Sequence, residues 1–175
     1  MDKRLQIAVR RNRGKQLQSA FIHELASALG RRDDSFGILS LDETELLWQK
    51  VESKVGACNN GQIPCYRRRW VESQIDELGS FLQELRGLLT DEPMVLFRSV
   101  SEYCGAIETH TGEVLDRAFQ LVSLDQEDLI AVNHEVSKGI MLSLDTDKYI
   151  TGDVVVYELI MWGEEWLRAL DFHWE

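Results

Sequence analysis

The sequence predicts an α+β fold, in which a mainly antiparallel sheet with a C-terminal three-stranded meander is backed by several amphipathic helices. Ile140, Leu142 and Leu144 alternate with more polar neighbours, which is the period of a half-buried strand. Residues 154–157 are three valines and a tyrosine, which favour extended backbone. Helices are predicted where apolar side chains recur at three- and four-residue steps, most clearly over residues 71–89.

In the first half of the chain, the same patterns predict two strands and three helices. The predicted strands are residues 4–10 and 36–41. The predicted helices are residues 15–29, which Gly30 ends, residues 43–55, which Ser40 or Asp42 caps, and residues 71–89. If residues 4–10 are helical instead, they join 15–29 in one long helix. Residues 56–64 are predicted to be a long turn, because they contain Asn59, Asn60 and Gly61.

The second half begins where Pro93 ends the third helix and is predicted to contain most of the sheet. The predicted strands are residues 94–97, 103–107, 129–132, 140–144 and 154–157, and the predicted helices are 111–122 and 164–170. Residues 133–139 and 145–152 are the predicted turns of the meander. Residues 157–162 suit either strand or helix, with Gly163 as a break. A chain of 175 residues has the size of one domain, so we expect residues 1–175 to form a single domain.

The net charge of −11 is unevenly distributed along the chain. Residues 1–15 have a net charge of +5, whereas residues 101–175 contain 16 acidic and four basic side chains, a net charge of −12. An acidic surface repels nucleic acid and attracts basic partners, although solubility alone also explains such a surface. The sequence contains no apolar run long enough to span a membrane and no secretory signal, so we expect a cytoplasmic protein without a membrane partner.

No motif for a catalytic, cofactor or metal site is present, so we expect no enzyme activity, no cofactor and no metal. Cys104 beside Gly105, with His110 nearby, is the one hint of a nucleophile, but a cysteine in an apolar run is typical of an inert core residue. Three cysteines without a CxxC pair suit reduced thiols, although Cys58 and Cys65 could in principle form a bridge.

One basic and aromatic cluster stands out, in which Arg67, Arg68 and Arg69 lie between Tyr66 and Trp70. Such a cluster is able to bind an anion or a base. We favour the alternative that these arginines pair with the acidic side chains of the protein itself, which are in excess.

The C-terminal tail combines tryptophans with acidic residues. Three of the five tryptophans lie in the last 14 residues, and Trp162 and Trp166 share one face if this segment is helical. Packing on the sheet is the plainer explanation for these rings, and an exposed tryptophan beside acidic residues is the composition of a binding hot spot. The candidate partner-binding residues are Asp145, Asp147, Glu158, Trp162, Glu164, Glu165 and Trp166.

The segment YELIMWGEEW, preceded by the hairpin LIAVNHEVSKGIMLSLD, resembles the C-terminal half of bacterial immunity proteins of polymorphic and contact-dependent growth inhibition toxin systems. The resemblance covers the last third of the chain. It implies a cytoplasmic inhibitor, often of a nuclease, and it transfers no contact residues because these proteins share a role more than a fold.

Three hypotheses about function follow. The first is a non-catalytic immunity protein that binds a cognate toxin, expected to have a basic surface, through its acidic C-terminal half. The second is a nucleic-acid-associated regulator that uses Arg10, Arg11, Arg13 and residues 67–69. The third is a small enzyme with a site near Cys104. The sequence does not predict an oligomeric state.

Overall fold

The computed structural model describes residues 18–32, 35–98, 100–125, 128–147 and 154–174. The helices in these ranges are α1 (18–29), α2 (Leu41–Asn59), α3 (Ile75–Leu88), α4 (Ser101–Cys104), α5 (Thr111–Asp116), α6 (Ala118–Asp125) and α7 (Glu164–Trp174). The strands are β1 (Tyr66–Val71), β2 (Pro93–Phe97), β3 (Ile107–His110), β4 (Leu129–Val132), β5 (Gly139–Asp147) and β6 (Val154–Trp162).

The six strands form one sheet in the order β1-β6-β5-β4-β2-β3. Each neighbouring pair is antiparallel. The predicted α+β fold and its C-terminal meander, β4-β5-β6, are therefore confirmed.

Helices cover both faces of the sheet, so that its alternating side chains contribute to two cores. On the first face, α1, α3, α5, α6 and α7 pack against residues such as Leu96, Leu142 and Leu159. On the second face, Val51 and neighbouring residues of α2 pack against Val95 and other apolar side chains of β2, β4 and β6. This burial of both faces explains why β2 and β4 are apolar throughout rather than alternating.

The prediction of a strand at residues 36–41 is wrong. This segment makes a single bridge to β3, between Ile38 and Ile107. Pairing stops there because α2 begins at Leu41, where Ser40 forms a capping box with Glu43. The helix then continues to Asn59, so the first half of the turn predicted at residues 56–64 is helical and the turn itself begins at Asn60.

The third predicted helix, residues 71–89, begins later than expected. Val71 is the last residue of β1, where it pairs with Val156, and a short 3-10 turn at Glu72–Gln74 precedes α3. Val71 fits the apolar spacing of the helix although it belongs to β1, because that spacing alone does not separate strand from helix.

The strand predicted at residues 103–107 and the helix predicted at residues 111–122 are each divided. Ser101–Cys104 is a short helix, and β3 begins only at Ile107 because Gly105, at φ +91, ends the helix. The second helix is broken at Arg117 into α5 and α6, which pack at different positions on the first face.

The meander is longer than predicted. β5 continues to Asp147, so Asp145 and Asp147 belong to a strand rather than to a connection, and they pair with Val156 and Val154. Residues 157–162 are strand, because β6 pairs with β1 on one side and β5 on the other. After Gly163, α7 extends the predicted helix to Trp174. The strand predicted at residues 4–10 lies outside the described residues, and the helix predicted at 15–29 is confirmed for 18–29.

Candidate partner-binding surface

Glu92, Lys138 and Glu165 form ion pairs at the end of the sheet where β4 turns into β5, and this end also includes Glu135, in the same hairpin as Lys138, and Glu164, beside Glu165. We call this surface the acidic end. The strand register brings its parts together, because Val132 pairs with both Val95 and Gly139, and Gly139 pairs in turn with Trp162. Residues just beyond these positions, from β2, the β4-β5 hairpin and α7, therefore lie side by side.

Lys138 is the central cation of the acidic end. Its ammonium lies 3.0 Å from Glu92 Oε1 and 2.5 Å from Glu165 Oε2. The hydrogen bond to Glu165 raises the pKa of Lys138, and the same bond holds the pKa of Glu165 below its ordinary value. One ammonium thus joins the start of β2 to the first turn of α7.

Three of the four carboxylates of the acidic end are largely exposed to solvent, and one of these three, Glu165, is also a partner of Lys138. The Glu164 side chain is 82% exposed and that of Glu165 is 72% exposed, and Glu135 at the hairpin tip is exposed as well. Glu164 pairs with Arg168 one turn later in α7, a contact between two exposed side chains that contributes little to stability. The carboxylates of Glu135, Glu164 and Glu165 are therefore accessible from solvent.

The hairpin that presents Glu135 is anchored by a buried residue in an unfavourable backbone conformation. Val136 has a φ of +57, which costs a β-branched residue about 1–2 kcal/mol, yet its side chain is only 1% exposed. Its carbonyl accepts a hydrogen bond of 3.2 Å from the Trp162 indole, and the Asn133 side chain accepts one of 3.1 Å from the Lys138 amide. These contacts hold the tip in one conformation.

The predicted site residues fall into separate places. Glu164 and Glu165 lie at the acidic end, whereas Trp162 and Trp166 are 1% and 3% exposed. Trp162, in a strand, belongs to the core of the second face, and Trp166, in a helix, belongs to that of the first face. Neither ring is available to a partner in this conformation. The side chains of Asp145 and Asp147 lie outside the described residues.

Glu158 lies in the middle of β6 on the second face, away from the acidic end. Arg69 donates to its Oε1 at 2.7 Å, and Arg67 Nε lies 3.8 Å from the same oxygen. Its side chain is 18% exposed and borders a polar pocket of about 300 Å³, which Ser143 and Asp128 also line. The charge of Glu158 is therefore balanced within the protein.

The same contacts confirm that Arg67 and Arg69 pair with a carboxylate of the protein itself. Arg67 also contacts the Asn59 side chain, and Arg68 lies over the Trp70 ring, 4.9 Å from its centroid. Arg67 and Arg69 therefore have a counter-charge within the protein, while the Arg69 side chain is still 62% exposed. Arg10, Arg11 and Arg13 lie outside the described residues.

Cys104, where the enzyme hypothesis places its site, lies in the core of the first face. Its side chain is 7% exposed, and burial raises the pKa of its thiol, the opposite of what activates a nucleophile. Among the described residues, no group of three or more His, Cys, Asp or Glu side chains is arranged to hold a metal ion. None of the helices in these ranges has the length and apolarity of a membrane span.

Sequence reasoning missed Glu92, Glu135 and Lys138. Asn133 and Gly139 predicted the turn that contains two of them, but the neighbourhood of Glu92 depends on which strand lies beside β4, and no local pattern indicates that. Comparison of the chain with protein families, with curated proteins and with solved structures finds no match.

The ion pairs of Lys138 predict a pH dependence of stability. The raised pKa of Lys138 means that its contribution is complete below its unfolded value of about 10.4 and is lost as the pH rises through the folded pKa. The lowered pKa of Glu165 means that its contribution is present above about 4.3 and is lost as the pH falls through the folded pKa. Lys138→Met should therefore lower the urea midpoint slightly between these limits, and the difference from wild type should shrink outside them.

Arg168→Met is the matched control, because it removes a cation from an exposed pair. We expect no measurable change in its urea midpoint. A Lys138→Met variant that behaves like Arg168→Met at neutral pH would contradict a structural role for Lys138.

Proposed function

We propose that this protein is a non-catalytic immunity protein, which neutralises a bacterial toxin by binding a basic surface of it through the acidic end. The observation that supports this proposal most directly is the placement of Glu135, Glu164 and Glu165 on a braced hairpin and the first turn of a helix. Because the backbone that carries these side chains is already fixed, binding of a partner needs no ordering of the hairpin or of the helix. The resemblance of the C-terminal third to immunity proteins gives the class of partner.

The chemistry of the acidic end suits a nuclease as the target. Enzymes that act on nucleic acid hold phosphates with lysine and arginine side chains, and carboxylates are able to occupy the same positions. Opposite charges also accelerate capture, which matters for an inhibitor that must bind before the toxin acts. The remaining negative charge of residues 101–175 adds to the same field.

Charge reversal at the acidic end tests the proposal. The double variant Glu135→Lys/Glu164→Lys should slow association with the toxin encoded beside this gene by about tenfold or more at low salt, because it removes the electrostatic steering. The rate is measured by stopped-flow mixing at several salt concentrations, and protection by growth of cells that express the toxin. Glu77→Lys/Glu84→Lys, on the exposed side of α3, is the control with equal net charge.

The two double variants separate the possible outcomes. If the control Glu77→Lys/Glu84→Lys slows association as much as Glu135→Lys/Glu164→Lys does, the net charge of the protein rather than the acidic end attracts the partner. If neither variant affects binding or protection, or if the wild-type protein does not protect cells from the neighbouring toxin, the proposal is wrong.

A further inference from the structure

Two cysteines meet where α2 ends and β1 begins, at a place that the proposed function does not use. Cys58 lies in the last turn of α2 and is 4% exposed, and Cys65 immediately precedes β1 and is partly exposed. The turn at residues 60–63 brings them together, so that the Cys65 thiol points at the backbone of Cys58, with Sγ 3.8 Å from its carbonyl oxygen. Both are free thiols in this structure.

The environments of the two thiols differ. Burial, with the neighbouring Cys65 as the next cause, raises the pKa of Cys58 to about 11, so this thiol is protonated at neutral pH. Cys65 is the more accessible of the two and is the one that an oxidant in solution reaches first. An accessible thiol beside a second thiol is the arrangement in which an oxidised cysteine is resolved as a disulfide.

We propose that Cys58 and Cys65 form a redox modification site, in which a peroxide converts the two thiols into a disulfide that fastens the end of α2 to β1. The Cys65 thiolate attacks the peroxide, whose O–O bond breaks, and the sulfur becomes a sulfenic acid as hydroxide leaves and is protonated to water. The Cys58 sulfur then displaces the hydroxyl group from Cys65, which forms the S–S bond and releases a second water. Two electrons pass from the two thiols to the peroxide.

The disulfide would link two elements that are already in contact at this junction. Arg67, two residues after Cys65, contacts the Asn59 side chain at the end of α2 and also lies near Glu158 on β6. Cys58 itself is part of the core between α2 and the sheet. A covalent link therefore joins two elements that pack together, and it restricts the unfolded chain by closing a short loop.

Peptide mapping after treatment of the whole protein with hydrogen peroxide tests the proposal. We expect a peptide linked through Cys58 and Cys65 that is about 2 Da lighter than the reduced pair. Closure should be faster at pH 9 than at pH 7, because Cys58 reacts as its thiolate. The thermal midpoint should rise by about 5 °C and return after treatment with dithiothreitol.

Three single Cys→Ser variants identify which thiols form the disulfide. Cys104→Ser should leave closure unchanged, whereas Cys58→Ser should leave Cys65 as a sulfenic acid that dimedone traps. Cys65→Ser should give no linked peptide. If wild-type Cys65 is oxidised to sulfinic acid while Cys58 stays reduced, or if the product is a disulfide between two chains, the proposal is wrong. These readouts need no toxin, so they are independent of the proposed function.

Discussion

Gly105→Ala is expected to lower the free energy of unfolding by about 3–5 kcal/mol, the sum of backbone strain and overpacking. Gly105 has φ +91 and ψ 154, a region that only glycine adopts readily. A Cβ atom at this position would stand 2.2 Å from the carbonyl oxygen of Leu39. Far-UV circular dichroism during urea unfolding measures the loss.

The Leu39 backbone has little freedom to move away from such a Cβ atom. Its amide donates a hydrogen bond of 2.9 Å to the carbonyl of Ala106, and the Ala106 amide donates one of 2.9 Å to the Thr44 hydroxyl in α2. The strain would therefore spread to the start of α2 and to β3. This is why we expect a loss at the upper end of what single substitutions cause.

Gly56→Ala provides the matched control, because it makes the same chemical change inside α2. A Cβ atom at Gly56 has no neighbour within 4 Å, so alanine should raise the free energy of unfolding by about 0.5–1 kcal/mol through helix propensity. A rise in the free energy of unfolding for Gly105→Ala, like the one expected for Gly56→Ala, would show that the conformation of Gly105 is not what the structure indicates.

Local patterns predicted those helices and strands whose inward-facing side chains all enter one core. The alternation at Ile140, Leu142 and Leu144 corresponds to one face of β5, and Ile140 and Leu142 are buried there. The apolar stripe of α3 was recognised for the same reason, since Leu78, Leu82 and Leu85 all face one core. In both elements the period of the backbone alone determines which residues are buried.

Elements that depend on distant partners could not be predicted in this way. Half of the residues of β1 are arginines, and it is a strand because β6 supplies hydrogen bonds along its length and Glu158 supplies a counter-charge. The sequence of residues 157–162 is compatible with a strand or a helix. These residues form a strand because β1 and β5 pair with them on both sides. That pairing places Trp162 at the end of a strand and Trp166 in the next helix, so the rings enter different cores instead of sharing one face.

The acidic end likewise contains residues that local sequence predicted and residues that it did not. Glu164 and Glu165 were predicted as candidates because they lie beside tryptophans in an acidic tail. Glu92 lies 46 residues from Lys138 in the chain and meets it only because β2 lies beside β4. Charge patterning along the sequence therefore indicated the sign of the surface, and the strand order determined its composition.

Trp162→Ala is expected to lower the free energy of unfolding by about 3–5 kcal/mol and to loosen the hairpin that presents Glu135. The ring is 1% exposed and packs so closely on Gly139 that a Cβ atom there would stand 2.1 Å from it. Its indole nitrogen donates to the Val136 carbonyl at 3.2 Å. Removing the ring takes away both the packing and the hydrogen bond that hold Val136 at its unfavourable φ.

Trp162→Phe separates these two contributions, because phenylalanine keeps an aromatic ring in the core but cannot donate to Val136. We expect a smaller loss of stability, of about 1–3 kcal/mol, together with faster hydrogen exchange in the hairpin. The informative amides are those of Asn133, Val136 and Lys138, which donate to partners within the hairpin.

Trp48→Phe is the control, because Trp48 packs on Phe97 from α2 and its substitution should leave these amides protected. If exchange at Val136 is the same in both variants, the indole hydrogen bond does not hold the hairpin, and the bond between the Lys138 amide and the Asn133 side chain fixes its conformation instead.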